Sequence, residues 1–191
     1  EIDESKVKRI AMAYAKFIQA NDLAPRQARG LPEAALRVAV GRDVRLSGPK
    51  LQKAVVDGLT AAGVDVIDIG PVPTEMLYFA VGFYHYDGGI QTSASHNPKE
   101  FNGLKLVRRG VEAISSDSGL KEIQALAESD QDFTVPTKGE LTAKEIEEDY
   151  FDFLTKFVHF DAGRGQPTNQ GTREHAVGIR DGDLDVDLRS P

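Results

Sequence analysis

Apolar residues near the start of the chain recur at the spacing of an α-helix. Within residues 4–20 they lie three or four positions apart, which places them on one face of a helix. The segment that follows, 21–36, contains Pro25, Gly30 and Pro32, and this composition is typical of a loop. We therefore predict a helix over 4–20 whose apolar face packs on a core through Val7, Ile10, Ala11, Tyr14, Phe17 and Ile18.

Short apolar or alternating runs predict the strands of a sheet. Each run is only a few residues long and is bounded by glycine, proline or polar residues, as strands usually are. The four runs span residues 37–40, 64–69, 90–92 and 104–107.

Helical spacing returns between and after these predicted strands. One helix is expected to be capped by Ser47 and to stop at Gly63, and a second to be capped by Thr74. Further helices are expected over about 117–128 and after a capping box at 142–145. Strands that alternate with helices in this way predict an α/β fold with helices on both faces of a sheet.

Two polar loops follow predicted strands directly, at 42–48 and 93–102. In α/β sheets, ligands bind at the carboxyl ends of the strands, so these loops are the expected place for chemistry. Ser95 lies among small residues, which favours an exposed hydroxyl, and Lys105 begins the next strand. A serine, a lysine and the arginines of 42–48 fit phosphoryl transfer, which depends mainly on positioning and charge stabilisation.

Composition and charge narrow the function classes. The 191 residues carry 23 Lys and Arg against 30 Asp and Glu, a net charge of −7, which argues against a nucleic-acid partner. An anionic small molecule would need a local basic pocket. The absence of cysteine excludes disulfides, thiolate zinc sites and cysteine nucleophiles. Without an apolar run of membrane-spanning length or a signal-peptide pattern, no membrane partner and a cytoplasmic location are expected.

Three motifs resemble one enzyme family. Residues 92–98, T-S-A-S-H-N-P, followed by N-G-x-K at 102–105, are similar to the phosphoserine loop of the α-D-phosphohexomutases, the phosphomannomutase and phosphoglucomutase superfamily. G-R-D-V-R-L-S-G at 41–48 and G-P-V-P-T at 70–74 resemble two further motifs of that family in the same order. The resemblance covers residues 4–158. It implies the family's first domain, a three-layer α/β/α sandwich with a mixed, mostly parallel sheet.

The resemblance implies catalytic roles for Ser95, Lys105 and His96. Ser95 would carry the phosphoryl group, pass it to a hexose phosphate and take back the other phosphate of a hexose 1,6-bisphosphate intermediate. Lys105 would be the general acid/base, which requires a pKa lowered toward neutrality. Each residue also has a structural interpretation. Ser95 is then a turn former, Lys105 a solvated edge residue and His96 a hydrogen-bonding loop residue.

The same resemblance assigns phosphate or substrate binding to four residues. Arg42 and Arg45 would stabilise charge around the phosphoserine, and Asn97 and Asn102 would line the loop. The alternative for the two arginines is that they are surface charges near a helix start.

The family uses one Mg²⁺, and the resemblance implies its ligands. They would be Ser95 and the carboxylates of Asp181, Asp183 and Asp185, which are hard oxygen donors of the kind Mg²⁺ prefers. Val186 stands where the family has arginine. The alternative is that this aspartate run is a solvated acidic tail.

The chain departs from the family pattern after residue 160. Complete family members have four domains. Here a domain at 1–160 is followed by a polar segment, 161–191, which we interpret as a poorly ordered remnant of the second domain. We therefore expect a truncated mutase with little or no turnover alone. The alternative is a non-catalytic phosphosugar-binding or assembly module, and docking to the missing mutase domains is then expected.

Overall fold

The computed structural model describes residues 2–28, 36–98 and 101–157, together with two short strands at 159–160 and 167–168. The chain divides into two compact units, Glu1–Glu147 and Glu148–Pro191. The predicted remnant at 161–191 lies outside the described residues except for 167–168. In the part of the chain that is described, no helix has both the length and the apolarity needed to cross a membrane.

Helices and strands alternate through the first unit and into the second. The helices are α1 (Glu4–Ala28), α2 (Gly48–Ala61), α3 (Thr74–Phe83), α4 (Lys121–Glu128) and α5 (Glu147–Thr155). The strands are β1 (Arg37–Arg42), β2 (Asp65–Pro71), β3 (Gly88–Thr92), β4 (Leu104–Arg108), β5 (Glu112–Ala113), β6 (Leu141–Ala143), β7 (His159–Phe160) and β8 (Pro167–Thr168).

The first unit is built on one six-stranded mixed sheet in the order β5-β4-β3-β1-β2-β6. Strands β6, β2, β1 and β3 are parallel, and β4 and β5 run antiparallel to them. Arg42, the last residue of β1, lies opposite Pro71 on one side and Thr92 on the other, and Thr92 lies opposite Leu104. This register brings the ends of β1, β2 and β3 and the start of β4 to one edge of the sheet.

Helices cover both faces of the sheet. On one face, α1, α2 and α4 enclose the main core, which includes Tyr14, Leu59 and Ile123. On the other face, α3 packs on β1 and β3, and its Leu77 and Val81 lie directly over Gly89. The predicted α/β/α sandwich with a mostly parallel sheet is therefore confirmed.

The structure corrects two of the predicted elements. The α1 helix passes Pro25 and ends at Ala28, so part of the predicted loop at 21–36 is helical. A proline within a helix removes one backbone hydrogen bond. The helix continues past Pro25 because its preceding turns are packed on the core through buried side chains up to Ile18. The predicted capping box at 142–145 is also wrong, because Leu141–Ala143 pairs with β2 as an edge strand.

At Gly58 the helices α1 and α2 lie too close together for a larger side chain. A β-carbon at this position would lie 2.5 Å from the backbone oxygen of Lys8 and 2.9 Å from Cβ of Ala11. Both atoms belong to a helix that is packed on the core, so neither can move away cheaply.

We predict that Gly58→Ala lowers the free energy of unfolding by about 1–3 kcal/mol, because overpacking outweighs the gain in helix propensity. The matched control is Gly82→Ala in α3, where the added methyl would meet only the Val111 Cγ2 atom at 3.2 Å. Urea denaturation measures both variants. Equal stability of the two alanine variants would contradict the prediction.

Candidate functional site

The loops at the carboxyl edge of the sheet are joined to one another by backbone hydrogen bonds. The Asp43 N–H donates to the carbonyl oxygen of Thr92 at 2.9 Å, which ties the loop after β1 to the end of β3. The Val72 N–H donates to the carbonyl oxygen of Arg42 at 2.9 Å, which ties in the turn after β2. The predicted sites for chemistry, 42–48 and 93–102, therefore lie side by side.

Ser95 is exposed at the start of the turn in the second loop. Its φ is +51°, in the left-handed region that glycine prefers and that costs other residues on the order of 1–3 kcal/mol. Its own N–H donates to the hydroxyl of Ser93 at 3.0 Å. His96 and Asn97 follow it and are also exposed. Ser95 is therefore an exposed residue on a strained backbone.

The guanidinium of Arg45 holds this loop. It donates to the backbone carbonyl oxygens of four loop residues, Ser95 at 3.0 Å, Asn97 at 2.8 Å, Pro98 at 2.7 Å and Phe101 at 3.3 Å. Its Nε donates to Oδ2 of Asp43 at 3.1 Å. An arginine side chain has five N–H donors, so every donor of Arg45 has a protein acceptor. We call this set of contacts the Arg45 clamp.

Asp43 accepts hydrogen bonds from both the side chain and the backbone of Arg45. While its Oδ2 accepts from the side chain, its Oδ1 accepts from the backbone N–H of Arg45 at 3.0 Å. The Arg45 side chain is only 15% exposed. Its charge is therefore compensated by a carboxylate and by carbonyl oxygens of the protein.

A second contact joins the two loops through Ser47. Its hydroxyl donates to Oδ1 of Asn102 at 2.9 Å. The prediction that Ser47 caps α2 with its side chain is wrong, because its backbone is already helical and its hydroxyl is used in this contact. The amide oxygen of Asn102 is accordingly occupied inside the site.

Lys105 lies on β4 opposite Gln91 of β3. Its ammonium donates to the hydroxyl of Thr74 at 3.2 Å, and Thr74 is the first residue of α3. The helix is preceded by Pro73 without a side-chain cap, so the prediction that Thr74 caps it is wrong. Gln91 in turn donates to the carbonyl oxygen of Val72 at 2.7 Å and is buried. Lys105 is thus connected to the turn after β2.

Arg42 is half-buried at the end of β1, and its Nη1 donates to the carbonyl oxygen of Asp43 at 3.1 Å. No other hydrogen bond of this side chain is present among the described residues. Arg42 therefore keeps free donors at the same edge of the sheet, unlike Arg45.

The predicted magnesium ligands are divided between two parts of the chain. Ser95 lies in the described part, whereas Asp181, Asp183 and Asp185 lie outside the described residues. Within the part that is described, no group of three or more His, Asp or Glu residues is arranged to hold a metal ion. The described residues alone do not form the implied site, and Mg²⁺ stays a prediction.

The fold and this edge together define an α/β/α domain with polar and arginine residues at the carboxyl ends of its parallel strands. Residues 1–133 match the family model described as phosphoglucomutase/phosphomannomutase, alpha/beta/alpha domain I. The chain belongs to this family.

Similar proteins carry the family names. A phosphomannomutase of Vibrio cholerae is 40% identical over 158 residues, which are 83% of this chain and 32% of that protein. A phosphomannomutase of Klebsiella pneumoniae is 42% identical over 131 residues, 69% of this chain and 74% of that protein. A crystal structure of a phosphoglucomutase/phosphomannomutase family protein from Burkholderia thailandensis superimposes with a TM-score of 0.67 and 31% identity, covering 82% of this chain and 32% of that one. The chain spans about a third of the Vibrio cholerae relative.

Asp43 and Thr74, which contact Arg45 and Lys105 in the structure, were not among the predicted site residues. A signal for Asp43 was present, because an aspartate that begins a polar turn commonly accepts the N–H two residues later, and here that residue is Arg45. The contact of Thr74 with Lys105 joins residues far apart in the chain and had no local signal.

We predict that Ser47→Ala loosens the loop that contains Ser95 without unfolding the domain. One hydroxyl hydrogen bond contributes about 0.5–1.5 kcal/mol, so the amide of Asn97, bonded to the carbonyl of Ala94, should exchange about 2–10-fold faster. Amide hydrogen exchange followed by NMR measures this. Ser47→Thr keeps the hydroxyl and should exchange at the wild-type rate, and an unchanged rate in Ser47→Ala would show that the contact is unimportant.

Proposed function

We propose that this chain is the phosphoryl-carrying domain of a sugar-phosphate mutase and that Ser95 is the residue that carries the phosphoryl group. The observation on which this depends is the position of Ser95. It is an exposed serine with a left-handed backbone, in a loop that the Arg45 clamp fixes at the carboxyl edge of the sheet. Membership of the phosphoglucomutase/phosphomannomutase family supports this assignment.

The proposed reaction moves one phosphoryl group in each direction. The bond between phosphorus and Oγ of Ser95 breaks, and a bond forms between phosphorus and a hydroxyl oxygen of a hexose monophosphate. The sugar hydroxyl gives up its proton, and Oγ of Ser95 takes one up to become a hydroxyl again. The resulting hexose 1,6-bisphosphate then returns its other phosphoryl group to Ser95. Such transfers depend on holding the donor and acceptor oxygens in line and on stabilising the phosphoryl charge.

Lys105 is the proposed group that takes and returns the proton of the sugar hydroxyl. Its strand begins at the edge where β3 ends, and its contact with the Thr74 hydroxyl gives the ammonium a defined direction. A general base must lie within hydrogen-bond reach of the proton that it takes.

The proposed phosphate contacts come from residues that keep donors available. Arg42 has N–H groups without acceptors in the described part of the chain, and the exposed His96 and Asn97 directly follow Ser95. Asn102 retains its amide N–H₂ group, since its oxygen accepts from Ser47. The net charge of −7 makes such local donors necessary for an anionic ligand.

The proposal predicts that Ser95 is phosphorylated by glucose or mannose 1,6-bisphosphate. Incubation should add about 80 Da, one phosphoryl group, to the peptide that contains Ser95. Peptide mass spectrometry measures the addition, with Mg²⁺ and with EDTA in parallel to test the predicted metal dependence. Ser95→Ala is the matched control and should stay unlabelled. An unlabelled wild-type peptide under both conditions, or label on another residue, would reject Ser95 as the carrier.

A second candidate function is a phosphosugar-binding or assembly module without turnover. It is favoured by apolar side chains at the same edge, because Val44 is 87%, Leu46 101% and Phe101 57% exposed. Exposed apolar groups beside a polar site are common where another protein surface docks. Binding of a hexose phosphate without labelling of Ser95 distinguishes this candidate from the first.

A further inference from the structure

We propose that Arg45 is a positioning residue for Ser95, which it holds in a reactive conformation, and not a ligand of the phosphate. This inference rests on the proposed function of Ser95 and extends it to a second residue. The resemblance to the mutases assigned charge stabilisation around the phosphoserine to both arginines of the loop after β1. The contacts of the two side chains separate their roles.

The number of donors excludes Arg45 as a phosphate ligand in this conformation. Its five N–H groups meet four backbone carbonyl oxygens and one carboxylate oxygen, at 2.7–3.3 Å. A phosphate oxygen would have to displace one of them. With a side chain only 15% exposed and paired with Asp43, Arg45 also presents little uncompensated charge to solvent.

The same contacts explain how the loop keeps Ser95 in place. The carbonyl oxygen of Ser95 itself is one of the acceptors, at 3.0 Å, so the clamp acts on the residue whose φ is +51°. The other acceptors, Asn97, Pro98 and Phe101, all follow Ser95 in the chain. A planar fork of five donors can reach these points together, whereas a lysine ammonium has three donors at one atom.

The clamp also has an electrostatic consequence for a phosphorylated Ser95. Four carbonyl oxygens in one loop concentrate the negative ends of peptide dipoles near the position of the phosphate. By accepting hydrogen bonds from a cation they are compensated, so the anionic phosphoryl group is not opposed by them. Arg42, whose remaining donors have no acceptor among the described residues, is the arginine that is available to bind phosphate.

Arg9 is a matched control, because its guanidinium also donates to several backbone carbonyl oxygens but lies away from Ser95. Its guanidinium donates to the backbone carbonyl oxygens of Leu126, Ala127, Ser129 and Gln131 at the end of α4, and it stacks over the Phe133 ring. Loss of Arg9 should therefore lower stability through lost carbonyl contacts and leave Ser95 unaffected.

The test compares phosphorylation of Ser95 by a hexose 1,6-bisphosphate in wild type, Arg45→Ala, Arg45→Lys and Arg9→Ala. We expect Arg45→Ala to be labelled on the order of 100-fold more slowly, as misplacement of a reacting group implies. Guanidinium at millimolar concentration, far below denaturing levels, should restore labelling in Arg45→Ala alone. Arg45→Lys, with three donors, should remain slow, and Arg9→Ala should be labelled at the wild-type rate. Wild-type labelling in Arg45→Ala, or no rescue by guanidinium, would overturn the proposal.

A second readout keeps this inference separate from the proposed function. If wild type is not labelled, the proposed function fails. Hydrogen exchange of the Asn97 amide then shows whether the Arg45 clamp holds the loop. Arg45→Ala and Arg45→Lys should both accelerate that exchange, and Arg9→Ala should not. Unchanged exchange in both Arg45 variants would show that the guanidinium does not hold the loop.

Discussion

The candidate site depends on one side chain that satisfies the backbone of a loop without secondary structure. Loop carbonyl groups normally hydrogen-bond to water, and a loop with only such bonds has considerable conformational freedom. Here four of them hydrogen-bond to the guanidinium of Arg45, which is itself fixed by Asp43. The guanidinium thereby satisfies the carbonyl groups of this loop, as the N–H groups of neighbouring strands satisfy those of a strand in a sheet. The exposed position of Ser95 is a consequence of that internal support.

The sheet determines which loops can meet. The parallel register of β1 with β2 and β3 places Arg42, Pro71 and Thr92 side by side, and the reversal at β4 returns the chain to the same edge at Leu104. The rigid core beneath, with α1 packed against α2 at Gly58 and α3 against Gly89, keeps these strand ends fixed. The distances within the site therefore follow from packing far from it.

The sequence predicted the core better than the site contacts. Helical spacing identified the buried face of α1, where Tyr14 and Ile18 are fully buried, because burial is what creates the periodicity. Local capping rules failed at Ser47 and Thr74, since both hydroxyls contact residues distant in the chain, Asn102 and Lys105. The motif singled out Arg45 as a candidate, but whether an arginine faces a ligand or a backbone depends on tertiary geometry that no local pattern records.

Ser95 combines two requirements that oppose each other. Its left-handed backbone is the conformation that glycine adopts without cost, yet glycine has no hydroxyl to carry a phosphoryl group. If Ser95 carries the phosphoryl group as proposed, its replacement by glycine would relieve the backbone strain and abolish the transfer, so that stability and activity conflict at this position.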